Sequence, residues 1–299
     1  MSLSLEQIII YPIKSLGGVM VPEAVIEPGG LRYDRRYMLV EPSADGQSGR
    51  FITQRTVHPM ALIDTAINVP DNELTVWHRQ TPADVLAIPL VPRPTQDASM
   101  SVSIWDSEDV AAQLVSDEAD AWFSRLLGKP CRLVYMPDTT RRTITSSHSR
   151  RDDVADPVVS FADGFPVLLI TQSSLDELNR RLAESIDAPL TMARFRPNLI
   201  VEGLCWPHDE DTWATVALGA VTVYGVKPCV RCVLTTIDPA TGERGKEPLR
   251  TLATYRSRDS KILFGENFMP DKSSNGQVLR VGEAVRILER KEPWLPVGV

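Results

Sequence analysis

The sequence predicts a mainly β chain of the α+β type, built as two β-rich units with a few helices. Short apolar runs punctuated by Gly, Pro, Asn and Asp recur through both halves. Apolar residues spaced for a helix appear in only a few isolated segments. Neither half alternates strand and helix regularly, which argues against a doubly wound parallel sheet.

In the first half the strand-like runs are residues 5–11, 19–27, 36–41, 61–69 and 73–77. Turn signals such as Gly29-Gly30 and Asp71-Asn72 separate them at the short intervals of a barrel or sandwich. A helix is predicted over residues 116–128, where Ala119, Trp122, Phe123, Leu126 and Leu127 share a face. Ser116 is its expected N-cap and Gly128 its stop. A short strand over residues 131–136 follows, and then a polar stretch, 137–157, carrying Arg141, Arg142, Arg150 and Arg151. That stretch reads either as a solvated linker or as a mobile basic flap over an anionic ligand. The domain boundary is placed just before it, giving units 1–128 and 129–299.

The second half opens with a strand-like run, 158–170, interrupted by Ala162-Asp163-Gly164. A helix over 174–184 comes next, followed by strand-like runs at 198–202, 217–226, 233–238 and 278–289.

Composition narrows the function classes. A net charge of −7, with no basic run interleaved with aromatics, argues against nucleic-acid binding. It leaves room for a local basic pocket that takes a small phosphorylated ligand. The N-terminus lacks a signal-peptide pattern, and the apolar runs 7–12 and 158–170 are too short to span a bilayer. Four cysteines in 299 residues do not make a disulfide scaffold, so a reducing cytoplasm without membrane attachment is expected. The sequence has no H-E-x-x-H, G-x-S-x-G, P-loop or G-x-G-x-x-G.

The segment Cys229-Val230-Arg231-Cys232 holds the most chemistry. A zinc site needs a second ligand pair, which the isolated remaining cysteines and four unpaired histidines do not supply. A thioredoxin-like motif opens a helix, whereas β-branched, strand-like residues follow here. Two readings remain: a pair of ordinary buried cysteines, or a thiolate favoured by Arg231 and Lys227 that acts as soft metal ligand or nucleophile. Ser173 or Ser174 reads as a helix cap, with Ser174 and Glu177 spaced as a capping box; such a helix start is also an anion site. Arg196 and Asn198, just before a strand, offer a donor fork and an amide. Lys14-Ser15 and Arg35 stand at strand ends. Each of these is weak alone.

Together the segments resemble a known family. YPIKSLGG (11–18), LRYDRRYMLV (31–40) and FITQRTVHP (51–59) are similar to the N-terminal β-barrel module that precedes MOSC domains. FADGFPVLLITQSSLDELNRRL (161–182), RFRPNLIV (194–201), KPCVRCVLTTIDPATGE (227–243), PLRTLATYR (248–256), FGENF (264–268) and LRVGEAVRIL (279–288) resemble the MOSC domain itself. The likeness runs in order along nearly the whole chain and is strongest toward the amidoxime-reducing components and their bacterial relatives. It implies a β-barrel module packed on a second β-barrel domain, with a molybdenum cofactor between them.

In that family the second cysteine of the block ligates molybdenum, which falls on Cys232. Cofactor contacts carry over to Lys14, Ser15, Arg35, Thr171, Ser173, Ser174, Arg196, Asn198, Val230 and Arg231. The implied activity is reduction of N-hydroxylated compounds such as amidoximes, hydroxylamines and N-hydroxypurines. Many bacterial relatives add a ferredoxin domain whose iron–sulfur cluster needs four cysteines. No cysteine follows Cys232, so no such cluster is expected here, and electrons are expected from a separate reductase or ferredoxin-like protein. The alternative on the same fold is sulfur transfer through a Cys232 persulfide, with a pyridoxal-phosphate-dependent partner.

Overall fold

In a computed structural model, residues 2–94, 99–144 and 157–297 are described. Alternating burial generates most of the architecture. In strand Glu73–His78, Leu74, Val76 and His78 face inward while their neighbours are half-buried, the period-two pattern of a one-sided sheet. In strand Ser4–Ile10 both faces are covered. Leu5, Ile8 and Ile10 join one core cluster, whereas Ile9, with Tyr11 beyond the strand end, joins another. That double use brings Tyr11 to the junction between the two halves.

Strands account for 42% of the chain, which places it in the mainly β class. Five of them, Ser99–Ile104, Ser107–Leu114, Arg132–Tyr135, Tyr37–Pro42 and Ser48–Phe51, close into a barrel. A three-stranded sheet, Ile63–Asn68, Glu73–His78 and Thr81–Pro89, lies in the same half. A nine-stranded, mostly antiparallel sheet forms the second layer, with Lys261–Pro270 and Val221–Arg231 at its centre. Its one parallel pairing joins Val167–Thr171 to Leu199–Glu202, with helix α2 (Gln172–Leu182) between them in sequence. The sheets do not follow the 1–128/129–299 division strand by strand. Ser4–Ile10 pairs within the nine-stranded sheet, and Arg132–Tyr135 pairs within the barrel. The barrel and the nine-stranded sheet therefore each take strands from both halves of the chain.

Helix α1 (Asp117–Leu127) forms as predicted, the Ser116 side chain accepting from Ala119 N and Gly128 ending the helix at φ 65. Helix α3 is Leu249–Tyr255. Several elements differ from the sequence expectation. Pro22 splits residues 19–27 into Val19–Val21 and Glu23–Glu27, since proline donates no ladder hydrogen bond. Residues 58–62 form a 3₁₀ turn before strand Ile63–Asn68. Of residues 158–170, those from Val167 onward form a strand, Val167–Thr171. Residues 217–226 include the hairpin between Trp213–Leu218 and Val221–Arg231, and 278–289 divide into Val278–Arg280 and Val285–Arg290.

Residues 233–238, expected as a strand, begin with the 3₁₀ turn Val233–Thr236. Thr235 Oγ1 donates to Cys232 O at 3.0 Å and Thr236 Oγ1 to Val233 O at 2.7 Å, closing the backbone locally in place of a ladder. Cys232 thus ends a strand and does not begin one. Strands Thr81–Pro89, Ser99–Ile104 and Ser107–Leu114 were not anticipated.

In the polar stretch 137–157, Arg142 is buried, donating to Ser160 O, Ala162 O and Asp163 O at 2.9, 2.6 and 3.1 Å. Arg142 is thus a staple for the 160–163 segment; residues 145–156 of the stretch lie outside the described residues. Arg150 and Arg151 lie outside the described residues. No helix among the described residues is long and apolar enough to cross a membrane.

Candidate functional site

A solvent-open cavity of about 140 Å³ lies where segments from both halves of the chain meet. Lys14, Ser15, Arg35, Arg196, Asn198, Val230, Arg231 and Cys232 all line it. Seven chain segments meet there, and three of the lining residues, Ser15, Arg35 and Arg196, adopt positive φ (70°, 48° and 57°). Left-handed backbone in non-glycine residues is costly and clusters at functional sites. Asp34, buried behind the cavity, organises this wall. Its Oδ1 accepts from Tyr11 N (2.9 Å), Arg35 Nη1 (2.7 Å) and Asn198 Nδ2 (3.1 Å). The Tyr11 ring carries both guanidinium groups, Arg35 at 4.1 Å and Arg196 at 4.2 Å from its centroid.

The cysteine segment reaches the cavity because of the strand that carries it. Strand Val221–Arg231 pairs with Lys261–Pro270 through irregularities at Gly225/Lys227 and Pro228/Val230. Such bulges re-aim side chains, and here Cys229, Val230, Arg231 and Cys232 all come to line the cavity. Both cysteines are free thiols. Burial pushes the Cys229 thiol up, against the opposing charge of Arg231. Cys229 is thus favoured as a thiol, while half-buried Cys232 sits at the strand end. Among the described residues no group of three His, Cys, Asp or Glu is placed to hold a metal ion. A metal held at Cys232 would draw its other ligands from a cofactor.

The electrostatics are strongly one-sided: Lys14, Arg35, Arg55, Arg196 and Arg231 face the lone lining carboxylate of Asp163. Burial alone would raise Asp163. Lys14, Arg55 and a Trp105 Nε1 donor at 3.0 Å outweigh it and hold the carboxyl below its ordinary range. Lys14 Nζ donates to Phe161 O at 2.8 Å and to Asp163 Oδ1. Arg231 is fixed by Nε on Phe264 O (2.8 Å) and Nη1 on Phe195 O (3.0 Å). Arg55 Nε, Arg196 Nη2 and Arg231 Nη2 are buried without a partner among the described residues. Burial lowers the Arg196 guanidinium to about 10. Unpaired buried cationic donors are expensive, and an anion entering the cavity would satisfy them. The donor set fits a phosphorylated, metal-bearing cofactor: cations for the phosphate and a free thiol for a soft metal. The cavity is smaller than the roughly 300–1,000 Å³ usual for whole ligands, so such a cofactor extends beyond it into the open mouth.

Three of the sequence-derived residues lie elsewhere. Thr171, Ser173 and Ser174 do not line the cavity. Helix α2 is capped by Thr171, whose side chain accepts from Ser174 N. Its hydroxyls serve an internal carboxyl: Thr171 Oγ1 and Ser174 Oγ donate to Glu210 Oε2 at 2.9 and 2.8 Å. Ser173 Oγ stands 3.2 Å from Cys205 Sγ. The Ser174/Glu177 capping box does not form, because Glu177 pairs with Arg180 and Arg181 at 2.7 and 2.6 Å. Asn198 lines the cavity, yet its side chain is spent on structure. Nδ2 donates to Ile9 O and Asp34, and Oδ1 accepts from Leu168 N. Sequence reasoning missed Arg55 and Asp163. Both sit in segments matched for their pattern, and nothing local marks either as facing a shared cavity.

Comparison with known proteins agrees with this architecture. Residues 2–130 match the MOSC N-terminal beta barrel domain and residues 156–286 the MOSC domain. Mitochondrial amidoxime-reducing component 1 of Mus musculus is 32% identical over 303 residues, covering 95% of this chain and 82% of that protein. Mitochondrial amidoxime reducing component 2 of Rattus norvegicus is 33% identical over 298 residues, covering 94% and 82%. Molybdenum cofactor sulfurase of Oryza sativa subsp. japonica is 32% identical over 297 residues, and there the chain spans 35% of the relative's length. With both domains matched in order and relatives covered over most of their length, the chain belongs to the MOSC family, in the branch that carries the MOSC N-terminal beta barrel domain.

Proposed function

We propose that this chain is a molybdenum-cofactor oxidoreductase that reduces N-hydroxylated compounds, taking electrons from a separate donor protein. The observation that carries the reading is the meeting of free Cys232 with three unpartnered guanidinium nitrogens in one cavity. The relatives named for amidoxime reduction support the substrate class. Units 1–128 and 129–299 would each supply part of the site.

When bound, the cofactor would supply two-electron chemistry at the N–O bond. Cys232 would be the protein's ligand to the metal, and Lys14, Ser15, Arg35, Arg196 and Arg231 would hold the anionic portion. The Val230 backbone would line the same site. Asp163 would position rather than bind, keeping Lys14 and Arg55 at the rim. Asn198 would act similarly, tying Asp34 to the first strand. Thr171, Ser173 and Ser174 enter this reading only as supports of helix α2.

The test is molybdenum and pterin content of the chain made in a cofactor-competent host, beside Cys232→Ala and Cys229→Ala. The reading expects near-stoichiometric metal in the wild type, its loss in Cys232→Ala and its retention in Cys229→Ala. No molybdenum in the wild type rejects it; cyanide-labile sulfur on Cys232 would then mark a persulfide carrier.

A further inference from the structure

Beside the cysteine cavity lies a larger one of about 640 Å³, a size that encloses small ligands. Arg196 and Leu234 line both cavities, so they form a common wall. The larger cavity draws Ile9 and Tyr11 from the first half and Leu175, Leu190 and Met192 from the second, which makes it substantially apolar. Apart from Arg196, its charged groups are held within the chain. Arg79 Nε donates to Asp64 at 2.6 Å, Arg194 Nη2 to Asp238 at 2.8 Å, and Gln172 Nε2 to Asp176 at 2.7 Å. Unlike its neighbour, this cavity sets Arg79, Arg194 and Arg196 against Asp64 and Asp176, so its lining is nearly balanced in charge and suits an uncharged guest.

Besides Arg196 on the shared wall, one lining residue carries an unpaired polar atom. Gln54 is 3% exposed, and its Oε1 accepts no hydrogen bond from the described residues. A buried acceptor left unpaired is unfavourable, so a ligand that brings an N–H or O–H there gains by it. The adjacent residues Thr53 and Arg55 line the cysteine cavity. One short loop therefore faces both spaces, and a guest at Gln54 is next to the proposed reaction site.

We propose that the larger cavity is the specificity site of the enzyme, seating the body of a neutral aryl or heteroaryl N-hydroxy compound. An N–H of that compound donates to Gln54 Oε1, and its N–O group reaches the Cys232 side past Leu234. The inference rests on the reductase reading for the reaction, but binding is measured separately from turnover.

The probes are benzamidoxime, which has an aromatic body, and hydroxylamine, which has none. The variants are Gln54→Leu, which removes the acceptor, and Ala193→Trp, which fills the space from an exposed lining position. Thr191→Trp, exposed on the same wall, is the second filling variant should Ala193→Trp not fold. Benzamidoxime dissociation constants come from ligand-observed NMR on the purified chain. Gln54→Leu is expected to weaken binding by about twofold to tenfold, the loss of one neutral hydrogen bond. The filling variants are expected to weaken it by more than about tenfold. In cofactor-loaded enzyme the KM of benzamidoxime relative to that of hydroxylamine rises in the filling variants. Unchanged benzamidoxime affinity in a folded filling variant, or an unchanged KM ratio, overturns the proposal. Variant-sensitive binding without turnover of either compound keeps the cavity and discards the reductase reading.

Discussion

Replacing Arg196 by Met separates the cost of the cavity from its use. In the free chain the Arg196 guanidinium is desolvated and has one nitrogen without a partner. Its fall from the ordinary guanidinium value to about 10 corresponds to about 3 kcal/mol against the charged form. The sign is that of a buried cation: the penalty is fully present below the folded pKa and fades only in strong alkali. Methionine keeps the length and apolar packing but loses the stack on Tyr11, worth about 1 kcal/mol. The net expectation at pH 7 is a ligand-free protein that is unchanged or up to about 2 kcal/mol more stable. Anion binding moves the other way, by about 1.5–3 kcal/mol for one charged hydrogen bond, or roughly 10- to 150-fold in affinity. Thermal melts across an inorganic phosphate titration read both at once, since a ligand that binds only the folded state raises Tm with its concentration. Pterin content per chain from the competent host gives a second readout. A variant that melts well below wild type while keeping its phosphate response would refute the reasoning.

Three further outcomes are expected. Glu210 is buried, and burial together with Asp211 raises its carboxyl to about 7. A carboxyl raised on folding stabilises below its unfolded value near 4.5, and that contribution is lost as pH climbs through about 7. Glu210→Gln should therefore gain stability relative to wild type by about 2 kcal/mol between pH 5.5 and 8, measured by urea unfolding at both; a pH-independent difference would contradict it. Ser116→Ala removes the cap of α1 and should cost about 1 kcal/mol in the same assay, with no change in cofactor content. Gly225 has no room for a Cβ, which would lie 2.0 Å from Trp213 O, so Gly225→Ala should lose several kcal/mol or fail to accumulate; a variant as stable as wild type would show the strand crossing to be looser.

What was legible in the sequence is what local rules govern. Helix α1 announced itself through its periodic face, Ser116 and Gly128, each of which acts within its own turn. Cys232, Arg231, Arg196, Arg35, Lys14 and Ser15 were legible because they sit in patterned segments, and all line one cavity. The failures occur where a partner distant in sequence decides. The start of α2 looked like an anion site, but the Glu210 carboxyl fills it from 39 residues beyond Thr171. Thr235 and Thr236 looked β-prone, yet their hydroxyls turned the chain at Cys232. Asn198 looked like a ligand donor and is a brace, because Asp34 and Ile9 lie against it from the other end of the chain. Arg55 and Asp163 carried no local signal.

The same cavity concentrates two kinds of cost that have no structural return within the chain itself. Ser15, Arg35 and Arg196 hold left-handed backbone, each at a cost on the order of 1 kcal/mol or more. Three guanidinium nitrogens of the cavity's lining residues are buried and lack acceptors among the described residues. The barrel and the nine-stranded sheet are not organised around these residues; their cores are the apolar clusters on either side. A fold that tolerates both costs at one junction is under-stabilised there until an anion arrives. The loaded protein should therefore be the markedly more stable form, and the difference should disappear in a variant that can no longer take the anion. That coupling ties the strain of the backbone to the chemistry of the site, because the residues bent out of ordinary conformations include two whose charges the ligand would neutralise.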